Sequence, residues 1–203
     1  MEEPVTFPVG SISLEGLISV PPKAAIAAVV CHPHPLRGGE MRNNVVTALV
    51  EWLGRAGIAT LRFNFRGVGR SGGVHDDGTG EVDDVRGALD CLLARGPFET
   101  VVVAGYSFGS IVGLMAGAED ARVDKLIGVA LPIANRDASF LAQVAKPKLI
   151  IAGDRDHICP RTKLDQLYAT LPEPKSLSIV TGADHFFGGL ERDIGSAAVR
   201  FLA

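Results

Sequence analysis

None of the three cysteines, Cys31, Cys91 and Cys159, lies in a C-x-x-C pair, and their number is odd. Both facts argue against a disulfide framework and point to a reducing, cytoplasmic setting. There is no basic tract either: 20 Lys and Arg against 23 Asp and Glu, spread along the chain, give a net charge of -3. A nucleic-acid partner is therefore not expected. The longest apolar run, "AAIAAVVC", is far short of the roughly 18 residues that suggest a membrane span. The opening "MEEPVTFPVG" is acidic, without the basic segment and apolar stretch of a signal peptide. No internal repeat, low-complexity tract or composition shift divides the 203 residues, so one domain over 1–203 is expected. A chain of this length buries roughly 70% of its unfolded surface and needs no staples.

What is present is a regular alternation. "VTFPV" and "ISLEGLISV", joined by Gly10-Ser11, read as an antiparallel hairpin. Ile26 to Cys31 reads as a buried strand, and a helix is expected from about Met41 to Ala56, closed by Gly57. The pattern recurs: strand "IATLRFN", loop "RGVGRSGG", helix Glu81 to Ala94, strand "TVVVAG", helix Phe108 to Gly117. Strands "KLIGVAL", "KLIIAG" and "LSIVTG" follow, with a helix near Arg161 to Leu171 and a last helix from about Leu190. Such repetition implies an α/β fold: a mostly parallel twisted sheet with helices on both faces, because right-handed crossovers must lie over the sheet.

Ligands of such sheets bind beyond the carboxyl ends of the strands. There "GYSFG" places Ser107 between two glycines, at a strand-to-helix turn where a Cβ on either side would crowd the backbone. A serine there can simply cap the helix; as a nucleophile it needs a base. "GDRDHICP" follows one later strand and "GADHFF" the next, supplying a carboxylate and then an imidazole. Asp154, Asp156 and Asp184 all qualify as the acid.

These three segments resemble the nucleophile, acid and histidine motifs of the α/β-hydrolase superfamily, in the chain order serine, acid, histidine. With "CHPHPLRGGEMRNN" and "LRFNFRGVGRSGG", the chain is similar to the small, lidless, esterase-like bacterial members from Ile26 onward. The resemblance implies Ser107 as nucleophile, His185 as general base and Asp156 as the acid that orients it. Gly153, Asp156 and Pro160 match the family spacing around the acid, leaving Asp154 to cap a loop and Asp184 turned away. It also implies an oxyanion hole made by the backbone N–H groups of Phe108 and His34. Pro33 stands where the family has glycine, and because Pro33 and Pro35 have no N–H to give, only His32, His34 or Leu36 can donate from "HPHPL". His32 is expected to be a structural hydrogen-bonding residue. No metal is expected at His32 and His34, which have no third ligand at an obvious spacing.

Gly67, Gly69 and Gly72 spell G-x-G-x-x-G after a strand, but no helix opens at once and no acid ends the next strand. They are expected to form a mobile loop beside the site, with Arg37, Arg66 and Arg70 as candidate residues of its mouth. The resemblance places lids after the strand that follows the nucleophile helix, and only Pro132 to about Lys146 is available here. An open site for small, short-chain acyl esters is therefore expected, without a cofactor, in a monomer or homodimer. A thioesterase, an amidase or small peptidase with the same three residues, and a non-catalytic binding protein are the alternatives.

Overall fold

A computed structural model describes all residues, Met1–Ala203. Eight strands form one sheet: β1 (Glu3–Val9), β2 (Ile12–Ser19), β3 (Ile26–Cys31), β4 (Ala59–Phe63), β5 (Thr100–Tyr106), β6 (Lys125–Val129), β7 (Lys148–Gly153) and β8 (Lys175–Val180). Their spatial order is β1-β2-β4-β3-β5-β6-β7-β8. The first two form the expected hairpin, with Gly10 at φ 56°, and β2 joins β4 antiparallel. All later pairings are parallel. The inner strands β3 to β7 are almost wholly buried, as a sheet covered on both faces requires.

Helices α1 (Asn44–Arg55) and α5 (Glu191–Leu202) cover one face, and α2 (Thr79–Leu93), α3 (Phe108–Glu119) and α4 (Arg161–Thr170) the other. Val45, Val46, Leu49 and Leu53 of α1 share one core with Ile194, Ala198 and Leu202 of α5. A Cβ on Gly195 would lie 2.2 Å from Cγ of Trp52, so these helices touch through the absence of a side chain.

Two helix starts differ from expectation. Asn43 caps α1 by accepting the Val45 N–H at 3.0 Å. Met41, expected inside that helix, instead lies buried in the loop and donates its backbone N–H to Asn64 Oδ1 at 2.8 Å. Helix α2 starts two residues early, because the buried Glu81 carboxylate reaches back to the Gly78 N–H at 2.8 Å.

The glycine loop after β4 is pinned rather than free. Glu15 of β2 accepts from the Arg70 backbone N–H at 2.8 Å and from Asn64 Nδ2 at 2.8 Å. Ser71 Oγ donates to the Asn64 carbonyl at 2.7 Å, and Gly67 and Gly69 supply φ of 75° and 58°. A Cβ on Gly69 would meet Glu15 Oε1 at 2.4 Å. These glycines serve close packing against the hairpin, which answers the resemblance to a dinucleotide fingerprint.

Gly195→Ala should lower stability by about 1–3 kcal/mol, the usual cost of overpacking. In urea titrations we expect a lower midpoint with an unchanged slope.

Candidate active site

The residues that matter lie at the carboxyl ends of β3, β5, β7 and β8. Between β5 and α3, Ser107 adopts φ 55° and ψ -120°, a conformation disfavoured for a residue with a side chain. Its neighbours explain how the turn closes. A Cβ on Gly105 would lie 2.1 Å from the Gly109 carbonyl oxygen, and one on Gly109 would lie 2.3 Å from the His32 carbonyl oxygen. With both absent, α3 starts directly over the ends of β3 and β5. The Ser107 N–H donates to the Val129 carbonyl at 2.9 Å, and the Ser110 hydroxyl donates to the Ser107 carbonyl.

Ser107 Oγ lies 2.9 Å from His185 Nε2, and His185 Nδ1 lies 2.7 Å from Asp156 Oδ2. A carboxylate only accepts, so Nδ1 carries the proton and Nε2 is free to accept from the serine. The other carboxylate oxygen, Oδ1, accepts from the backbone N–H groups of Ile158 at 2.7 Å and Cys159 at 2.8 Å. Tyr106, buried, donates its hydroxyl to the His185 carbonyl at 2.8 Å. The imidazole is thus held at one ring nitrogen and through its own backbone. Asp154 and Asp184 act elsewhere: the first accepts from the Gly182 N–H at 2.7 Å, the second from the Phe186 N–H at 2.9 Å.

Phe108 is the first residue of α3, so its N–H has no acceptor within the helix. His34 sits just before a 3-10 turn at Pro35–Arg37; its carbonyl accepts from Arg37 and Gly39, while its own N–H bonds to no group of the protein. Both residues line the same cleft as Ser107 and His185. His32 points away from that cleft. Its ring lies fully buried, with Nδ1 2.6 Å from the Pro33 carbonyl, while Nε2 accepts the Phe65 N–H at 3.0 Å. Burial pulls its pKa down to about 4.

The cleft measures about 1380 Å³ and is open. Of the three arginines expected at its mouth, only Arg37 lines it. Arg66 instead pairs with the buried Asp84, through Nη2 at 2.8 Å, and Arg70 pairs outward with Glu15. Buried carboxylates elsewhere in the chain captured both, which the loop sequence alone does not disclose. Arg136, not singled out in the sequence, does line the cleft: its guanidinium sits 5.0 Å from the centre of the Phe108 ring and pairs with Asp77. Only its sign of charge was legible, because its partners come from distant segments. No helix is long and apolar enough to cross a membrane.

His32 provides a pH test. Its folded pKa lies below the ordinary value near 6.5. The unfolded chain therefore binds the extra proton first, and the stability contributed by the neutral ring is full above about pH 6.5 and lost as pH falls toward 4. Imidazole nitrogen shifts should keep His32 in its neutral Nδ1–H form at pH 5, while an exposed histidine is already protonated.

Residues 28–198 match the α/β hydrolase domain family. Among curated proteins, the uncharacterized RP471 of Rickettsia prowazekii is 37% identical over 82% of this chain and 73% of its own length. Among solved structures, an α/β serine hydrolase homologue from Coxiella burnetii is 35% identical, covering 99% of this chain and 97% of that one, with a TM-score of 0.91. A Xanthomonas campestris α/β serine hydrolase without a lid is also 35% identical, covering 99% and 93%, with a TM-score of 0.88. On the sheet, the serine turn and these likenesses together, the chain belongs to the α/β-hydrolase family.

Proposed function

We propose that this hydrolase is a carboxylesterase that cleaves small, short-chain acyl esters through a covalent acyl-enzyme on Ser107. The observation that carries the reading is the unbroken hydrogen-bonded row Ser107–His185–Asp156 at the floor of an open cleft. A serine hydroxyl is a weak nucleophile alone, and an adjacent base removes that limit.

His185 Nε2 accepts the Ser107 proton as Oγ attacks the ester carbonyl carbon. Asp156 keeps Nδ1 protonated and stabilises the imidazolium that forms. The negative charge that develops on the carbonyl oxygen is met by the Phe108 and His34 N–H groups, each worth about 3 kcal/mol. Collapse of the tetrahedral intermediate expels the alcohol, which takes its proton from His185. Water then attacks the acyl carbon while His185 takes its proton; the acyl–Oγ bond breaks, the carboxylic acid leaves, and His185 returns the proton to Ser107 Oγ. The dipole at the start of α3 favours the same charge.

Preference for short acyl groups is supported by what covers the cleft. The connection from Ala130 to Pro147 holds only a 3-10 turn at Ser139–Gln143 and no inserted helices. The similar Xanthomonas campestris protein is described as lacking a lid. With no enclosed channel, a long acyl chain gains little burial.

Against p-nitrophenyl esters from acetate to laurate, activity should fall with chain length. Ser107→Ala should lose roughly 10³-fold or more in kcat, and the native protein should gain the mass of one acyl group during turnover. Undiminished hydrolysis by Ser107→Ala would sink the reading.

A further inference from the structure

Beside the cleft, two loops far apart in sequence bring together side chains that the acyl-transfer chemistry does not use. His34 comes from the loop after β3; His75 and Asp77 come from the loop that leads into α2. One ligand atom from each lies within 4.8 Å of the others. We propose that His34, His75 and Asp77 form a binding site for one divalent transition-metal ion of the zinc class.

The donor set is the first argument. Two imidazoles and a carboxylate suit zinc and its neighbours, and three protein ligands leave a further position for water or an anionic group. Zinc holds such donors about 2 Å from itself, hence roughly 3.4 Å from one another. The cluster must therefore contract by at most about 1.4 Å, and Asp77, whose side chain is 81% exposed, has room for that movement once Arg136 releases it.

The second argument is the support behind the ligands. His75 Nδ1 lies 2.7 Å from Oε1 of Glu81, a fully buried carboxylate that also accepts from the Asp76 and Gly78 N–H groups. That bond fixes the proton on Nδ1 and leaves Nε2 with its lone pair available, the carboxylate–histidine support typical of metal ligands. Both imidazoles also rest against the Phe108 ring, with centroids 5.0 Å and 5.4 Å away, and against each other at 5.0 Å.

Two existing contacts oppose the ion, and each is weak or exposed. His34 Nδ1 accepts the Leu36 N–H at 3.2 Å in an exposed turn. Asp77 pairs with Arg136, so the guanidinium must yield its carboxylate to the metal. That competition gives the site a signature, because removing Arg136 should strengthen binding.

The test is equilibrium dialysis of the chelator-washed full chain against zinc chloride, with calorimetry for affinity, and no substrate. The expected result is one ion per chain, with affinity at least tenfold weaker in Asp77→Asn and in His75→Gln, and tighter in Arg136→Met. Asp77 is exposed, so its variant keeps the fold even if His75→Gln does not. No saturable uptake by the native chain, or uptake that Asp77→Asn retains at native affinity, would overturn the proposal. Because binding is read without turnover, the result is independent of the esterase reading.

Discussion

The close approach of α3 to the ends of β3 and β5 sets the positions of nearly every group around the cleft. It exists only because Gly105 and Gly109 have no side chains; the nearest carbonyl oxygens occupy the places their Cβ atoms would take. Ser107, caught between them, takes up a positive φ and projects from the turn instead of lying along the strand. The first N–H groups of α3 face the same space, and the ring of Phe108 becomes the surface on which His34, His75 and Arg136 rest. Backbone strain at one residue is thus held in place by helix packing over a buried sheet, a scaffold that does not yield locally.

Around that turn, buried carboxylates hold the loops. Glu15 fixes the glycine loop to the hairpin, Asp84 takes Arg66, Glu81 caps α2 while orienting His75, and Asp156 braces its own loop through two N–H groups before it touches His185. A buried carboxylate is costly unless every oxygen is satisfied. Each of these four accepts at least two hydrogen bonds, so the cost of burial is offset by loops that have one conformation.

This arrangement explains what could be read from the chain and what could not. The β7 run "KLIIAG" is bounded by Pro147 and Gly153, and the strand spans those same residues, Lys148–Gly153. The motifs around Ser107, Asp156 and His185 sit immediately after strands, where local pattern and position coincide. The start of helix α1 is not legible in the apolar spacing, which Met41 continues, because the Asn43 cap decides where the helix begins. The arginines were harder still. Arg66 and Arg70 look like mouth residues from their place in the loop, and their real partners, Asp84 and Glu15, stand in another helix and another strand. The meeting of His34 with His75 and Asp77 depends on how two loops converge, which no spacing in the sequence expresses.

The short connection between β6 and β7 has a consequence for engineering. It begins at the edge of the cleft, where Pro132 and Arg136 stand in the lining, and it returns to the sheet at Lys148 without passing through the core strands. A segment grafted there would hang over the serine while leaving the hydrogen bonds of the sheet untouched. The chain is in this sense a chassis, on which selectivity can be added as a cover without rebuilding the part that does the chemistry.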